Sequence, residues 1–438
     1  MKSAWHLFCR LLCGLLSCLL VMPLCACGGD SPEHTDPDES DAPTEAPTEV
    51  PTEAPTEVPT EAPTETLTEV PTESATEPET EAPKTVWAPV TDGAGDFVMD
   101  VPAGQTEFRI LQLTDLQTIW LQGAEKGTLR RQQLQNAFFK DEIFDRDIRV
   151  YNYVRRAVAE AQPDMLMLTG DNVYGETDDK GKLWDEMIDL MNEIGLPWGF
   201  VFGNHDNESM MGVRWQIAEA LERSPLCVFA QGTVHGNSNY SILLRQGGSV
   251  RFQLYMIDTN GCVEIPSNPG EGLDPDNPDH DLIAAMGIWK DQREWYRDTA
   301  KAVNAAAGET VPSIVFMHIA LRAMADELAS RGIELKYPLE MTDEGEFGTL
   351  YTPVSSIDNK NEFFNVMCDV GAIGAFFGHQ HFNTASVISH GIRLTFGVKA
   401  STDAEYRPEC LGSTLITLHM DDRTMDVRHL FQPYTPEK

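Results

Sequence analysis

The stretch Gly203-Asn204-His205-Asp206 follows the apolar run Trp198 to Phe202 without a spacer. Asn204 can offer a neutral carbonyl oxygen to a metal ion, and His205 can give or take a proton near neutral pH. Asp206 is placed to orient or polarise His205. Gly203 has no Cβ, so the chain is free to turn sharply at that point. Four further apolar runs end in the same manner, in Asp115, in Asp171, in His318 and in His379-x-His381. Taken singly, each has an ordinary explanation: a carboxylate at a strand end caps a helix, and a histidine there packs in the core. Five such endings in one chain point instead to a shared site, because open α/β sheets bind ligands at the carboxyl ends of their strands. His235, His280, His390, His419 and His429 lack this setting and are read as structural.

Carboxylate, amide oxygen and imidazole together suit Fe, Mn or Zn. No thiolate joins them, which argues against a structural zinc site. Asp171 has two oxygens and could bridge ions ~3.5–4 Å apart, the spacing that clamps both sides of an in-line displacement.

The elements that must position these residues alternate along the chain. Strands are expected at Phe108–Leu113, Met165–Leu168, from Trp198 and at Ser313–Met317 and Ala372–Phe377, with helices near Asp147–Gln162, Lys182–Ile194, Val213–Arg223 and Trp289–Ala305. Tyr240–Leu244 and Val250–Ile257 read as a hairpin through Gly247-Gly248. Val387–Ser389, Arg393–Phe396, Thr414–Leu418 and Met425–Leu430 read as closing strands. Cys262 to Gly287 is a long polar loop, and Arg322 to Asn361 reads as an insertion over the site. The pattern implies an α/β protein with two stacked sheets and helices outside.

Asp115, Gly-Asp171-Asn, Gly-Asn204-His205-Asp, His318 and Gly-His379-x-His381, in this order, resemble the calcineurin-like metallophosphoesterases. Gly170 to Gly175, Gly203 to Glu208, Tyr255-Met256-Ile257-Asp258 and Gln292 to Tyr296 are similar to the small single-domain enzymes grouped with purple acid phosphatases. The resemblance covers most of Phe108 to about Leu418. It implies a four-layer α-β-β-α sandwich of two mixed sheets and two metal ions. It also implies a first metal held by Asp115, Asp171 and His381, and a second completed by Asn204, His318 and His379. His205 would then protonate the leaving oxygen, steadied by Asp206, while metal-activated hydroxide attacks phosphorus. The resemblance fails at one position: Asp115-Leu116-Gln117 stands where most of the superfamily has Asp-x-His. Tyr174, three residues after Asp171, is the residue that would fill the gap as a metal ligand, the alternative being a tyrosine that only packs. Lys399, Arg322 and Arg407 are weaker candidates for a phosphate oxygen. The implied substrate is a small phosphoester, monoester or diester. The rival readings are a phosphodiesterase or nucleotide phosphohydrolase on the same scaffold, and a binding module weakened by the Gln117 change.

Charge and composition frame this reading. The chain has 438 residues and a formal net charge of −37. Asp30 to Lys84 holds 17 acids and one base, and the part from Thr85 onward still carries a net −23. That excludes nucleic acid held by general electrostatics, but not a phosphate substrate, since bound cations reverse the local field. Residues 1–27 read as a lipoprotein-type signal peptide: Lys2 and Arg10, an apolar Leu11–Met22, then Leu24-Cys25-Ala26-Cys27 as a cleavage box. Cys27 would be lipidated and hold the protein to a membrane outside the cytoplasm, with plain secretion as the alternative. Residues 28–84 are a Pro/Thr/Glu-rich stalk in which Pro-Thr-Glu recurs every four residues from Pro43. It has too few apolar side chains to fold and could extend roughly 150 Å. Residues 85–438 read as the domain that the resemblance makes a metallophosphoesterase. Cys227, Cys262, Cys368 and Cys410 are scattered without CxxC spacing, leaving room for one or two disulfides.

Overall fold

The computed structural model describes residues 86–119, 146–175, 180–209, 211–261, 263–264, 285–332 and 335–432. The signal and stalk readings, and most of the loop from Cys262, lie outside these residues. Two mixed sheets organise the rest. The smaller sheet contains β3 (Glu107–Leu113), β4 (Met165–Thr169) and β5 (Trp198–Val201), parallel to one another. Antiparallel strands β12 (Gly412–His419) and β13 (Met425–Phe431) extend it past β3. The larger sheet runs β1 (Val86–Pro89), β2 (Phe97–Asp100), β6 (Tyr240–Gln246), β7 (Ser249–Met256), β8 (Ser313–Phe316), β9 (Ala372–Phe377), β11 (Ile392–Phe396) and β10 (Ser386–Ser389). Within it β7, β8, β9 and β11 are parallel.

Alternation along the strands builds the layers, because successive side chains of a strand point to opposite faces. Leu254, Met256, Ile314, Phe316 and Phe376 belong to the core shared with Leu111, Leu166 and Phe200 of the smaller sheet. Their neighbours Tyr255, Val315, Ala375 and Phe377 face the other way. They pack with Tyr296 and Ala300 of α4 (Lys290–Ala307), Met324 of α5 (Arg322–Ser330) and Phe363 of α6 (Glu362–Val370). The smaller sheet is covered by α1 (Arg146–Ala161), α2 (Lys182–Ile194) and α3 (Gly212–Arg223). Helix α2 turns Leu183, Trp184, Met187, Ile188 and Met191 inward, a stripe at helical spacing. The result is the expected α/β sandwich with helices on both outer faces.

Two features were not foreseen. Strands β1 and β2 form an edge hairpin, with β2 pairing parallel to β6. The Arg322–Asn361 stretch opens as α5, and its later part is tied down by two small ladders, Leu339–Glu340 with Thr349–Leu350 and Ala320–Leu321 with Ser356–Ile357. Cys227, Cys368 and Cys410 are free thiols, so the described residues contain no disulfide. None of their helices is long and apolar enough to cross a membrane.

Candidate metal centre and comparison with known proteins

Five strands deliver the site from both sheets. β3 leads into Thr114-Asp115, β4 into Gly170-Asp171 and β5 into Asn204-His205. From the other sheet, β8 leads into His318 and β9 into Gly378-His379. Backbone bonds knit these ends together: Asp115 N–H donates to Gly170 O at 3.1 Å, and Gly378 N–H to His318 O at 2.8 Å. Asp115, Asp171 and His379 all sit at positive φ, 53°, 50° and 70°. For residues with a Cβ this conformation costs roughly 1–3 kcal/mol and clusters at functional sites.

Glycine is required at Gly203 and Gly378 for room, not for positive φ. A Cβ on Gly203 would collide with Asp171 Oδ1, and one on Gly378 with Thr114 Oγ1 and Asp115 Oδ2. The sharp turn expected at Gly203 is therefore a close approach of two strand ends.

The ligand-type atoms fall into two sets that share one carboxylate. Asp115, Asp171 and His381 form the first, and Asp171, His318 and His379 the second, with the donor atoms of each set within 4.8 Å of one another. Asn204 Oδ1 joins the second set, 3.2 Å from His318 Nε2 and 3.0 Å from His379 Nδ1. His318 donates its Nδ1–H to Thr169 O at 2.9 Å, and His381 its Nδ1–H to Glu405 O at 2.8 Å. Each such bond fixes the ring's orientation and turns Nε2 inward, the outer-layer pattern of metal-binding histidines. The donor chemistry and these orientations fit a pair of cations.

Electrostatics sharpen this. Burial works against ionising Asp171, yet the nearby His318 and His205 hold its carboxyl far below the usual range. Burial likewise opposes a charged His318, but Asp171 outweighs it and raises that imidazole to about 9. Burial, together with repulsion from His318, pushes His379 down to about 4. Without metal, His318 thus holds its proton between Asp171 and Asp115.

His205 lies beside the sets and is 21% exposed, whereas Asp115, Asp171 and His318 are buried. Tyr174 stacks on its ring with centroids 4.6 Å apart. The expected partner of that ring is corrected. Asp206 is buried and accepts four hydrogen bonds: from Asn172 N–H, Val173 N–H, Gly203 N–H and the Asn172 side-chain amide. It therefore staples the β4 and β5 loops, while Glu208 Oε2 takes the place at His205 Nδ1, 2.7 Å away. A short 3₁₀ turn over Asp206–Glu208 swings Glu208 there. The i,i+3 spacing of His205 and Glu208 was the available signal.

The phosphate candidates are also corrected. Buried Lys399 spends Nζ on Asp115 O at 2.7 Å and on Gln117 Oε1 at 2.9 Å, and burial lowers it to about 8. Arg322 pairs with Asp326. Arg407 pairs with Glu409 and lies over the Tyr351 ring. Gln117 donates Nε2–H to Asp171 Oδ2 at 3.0 Å. Gln380, between the two loop histidines, reaches the insertion instead, donating to Pro353 O and accepting from Ser355 N–H.

Several known proteins are similar to this chain. Two plant proteins from Arabidopsis thaliana are similar. "Probable inactive purple acid phosphatase 28" is 33% identical over 316 residues, 69% of this chain and 72% of that one. "Probable inactive purple acid phosphatase 14" is 26% identical over 311 residues, 66% of this chain and 69% of that one. Among solved structures, a dimetal phosphatase from Danio rerio aligns at TM-score 0.43 and 14% identity, covering 75% of this chain and 99% of its own. A purple acid phosphatase from yellow lupin seeds aligns at 0.39 and 13%, covering 77% and 55%. The sequence profile of the calcineurin-like phosphoesterases matches residues 108–383, spanning all five strand ends, and the chain belongs to that family of metal-dependent phosphoester hydrolases.

Proposed function

We propose that this protein is a binuclear phosphatase of small phosphoesters, displayed outside the cytoplasm, with His205 as the proton donor to the leaving oxygen. The observation that carries it is the pair of ligand sets sharing Asp171, with a partly exposed histidine alongside. In this reading Asp115, Asp171 and His381 hold one ion, and Asp171, Asn204, His318 and His379 the other. When bound, such a pair supplies Lewis-acid charge and a low-pKa water for in-line displacement at phosphorus. The protein's own groups do the rest. Thr114 and the His379 backbone hold Asp115 by hydrogen bonds, His205 N–H holds Asp171 Oδ1 at 2.8 Å, and Glu208 with Tyr174 fixes the His205 ring.

The test is a panel of nitrophenyl monoester, nitrophenyl diester and nucleotides with Mn, Zn or Fe. Asp171→Asn should abolish turnover on every substrate and His205→Ala should abolish it on the nucleotides, whose leaving oxygen needs the proton; nucleotide turnover that survives both changes rejects this mechanism. Preference for the diester or nucleotides would instead favour a phosphodiesterase or nucleotide phosphohydrolase.

We propose Tyr174 as a phenolate ligand for a trivalent ion in the first set, supported by its place three residues after Asp171 and against His205. Fe(III)-loaded protein should then show a visible charge-transfer band that Tyr174→Phe removes. A colourless loaded wild type rejects it.

A second reading is a surface-binding module with little turnover. The word "inactive" in the names of the plant relatives favours it, as does the loss of an imidazole at Gln117. Absence of turnover with every metal would select it.

Display outside the cytoplasm draws its support from residues 1–84: the positive start, apolar run and Cys27 box, followed by the Pro-Thr-Glu stalk. Radiolabelled lipid on the wild type but not on Cys27→Ala would establish the anchor, and an unlabelled wild type would leave secretion.

A further inference from the structure

We infer that Lys399 locks the orientation of the Gln117 amide and so makes the two halves of the metal centre unequal, the Asp115–Asp171–His381 half being the weaker for divalent ions. The inference rests on the binuclear reading above. An ammonium can only donate hydrogen bonds. Lys399 Nζ lies 2.9 Å from one end of the Gln117 amide, so that end must be the oxygen. The other end, Nε2, then faces the site, 3.0 Å from Asp171 Oδ2. An NH2 group has no lone pair to offer a cation. Turning the amide over to present its oxygen would set NH2 against the ammonium and lose both bonds.

The arrangement is enclosed. Asp115, Gln117, Asp171 and Lys399 are all buried, so water is not at hand to relax a flipped amide. Lys399 is anchored a second time on Asp115 O, 2.7 Å away, where Ser401 Oγ also approaches at 3.4 Å.

The charge of Lys399 bears on one half of the centre. The first set has an amide N–H instead of a ligand at Gln117 and keeps the Lys399 ammonium at its back, while that N–H also competes for Asp171 Oδ2, which both sets share. Like charges in a poorly solvated pocket repel strongly. The second set shares Asp171 but meets no such charge: Asn204 Oδ1, His318 Nε2 and His379 Nδ1 converge within 3.2 Å of Asn204, and Lys399 hydrogen-bonds to none of them.

The test is a titration of the metal-stripped full-length protein with Mn2+, followed by calorimetry and by metal analysis after equilibrium dialysis. Wild type should bind two ions, the second at least about tenfold more weakly, the scale of change that outer-layer partners of metal ligands produce. Gln117→His and Lys399→Met should each tighten the weaker site by about tenfold or more and leave the tighter one unchanged. Circular dichroism melts of the metal-free proteins show whether Lys399→Met folds, and Gln117→His keeps the lysine should it not. Two equal sites in the wild type, or a weaker site that Gln117→His leaves unmoved, overturn the inference. Failure to bind any Mn2+ would reject the binuclear reading itself.

Discussion

Glu208 Oε2 lies 2.7 Å from Nδ1 of His205, closing a stack of Tyr174, imidazole and carboxylate beside the ligand sets. A carboxylate on one ring nitrogen holds the imidazole in a single tautomer and steadies its charged form, directing proton exchange through Nε2. Removing it should hurt most when the leaving group needs the proton. Glu208→Gln is expected to lower kcat on an alkyl phosphate by ~10–100-fold, within the range of one general acid's contribution. KM should change little, and nitrophenyl phosphate, a good leaving group, should be nearly unaffected. Equal losses on both substrates would make Glu208 merely structural.

Asp206, by contrast, should act on stability. Its carboxylate gathers four N–H donors from Asn172, Val173 and Gly203. Asp206→Ala leaves those buried donors unmet, each such group costing about 1–3 kcal/mol. A drop in Tm well beyond that of Glu208→Ala is expected. An unchanged melt with lost activity would return Asp206 to the chemistry.

Metal binding should release a proton. Burial opposes a charged His318, but Asp171 outweighs it and raises the imidazole from its usual 6.5 to about 9 in the metal-free chain. Below that pH the ring is protonated and must discharge before it can ligate. Affinity at this site should therefore climb as pH rises toward about 9, by roughly tenfold per unit for one proton. Calorimetry at pH 7.5 in buffers of differing ionisation enthalpy checks it. No release in any buffer refutes it.

A second pH effect lies away from the metals. Asp358 receives Phe363 N–H and Phe364 N–H at the start of α6, yet burial raises its carboxyl from 3.8 to about 6. The folded state thus binds this proton more tightly than the unfolded one. The stabilisation is complete below pH ~4 and is lost as pH rises through about 6. Wild type should lose up to about 3 kcal/mol relative to Asp358→Asn across that window, at 1.36 kcal/mol per unit. A difference that stays flat from pH 4 to pH 7 in urea melts would exclude it.

The five strand ends were legible because an apolar run followed at once by a polar ligand type is a local pattern, and β3, β4, β5, β8 and β9 each carry it. Helix α2 matched its expected bounds because its apolar stripe is strongly periodic. Edge strands β1 and β2 escaped notice, since four-residue strands with exposed positions leave little period to detect. The partners of the site were harder to see for another reason. Asp206 and Glu208 differ by two positions, and only the turn between them decides which meets His205. Lys399 stands 282 positions from Gln117, and no local pattern encodes that encounter.

Gln380 has a consequence of its own. Flanked by two ligand-type histidines, it sends its side chain to the backbone of Pro353 and Ser355, while the neighbouring Asn383 binds Tyr351 and Thr352. The 351–355 segment and the loop that carries His379 and His381 are thus spliced into one piece. Lineages that remodel residues 351–355 would have to rewrite Gln380 and Asn383 in step, which ties change in that segment to the integrity of the centre.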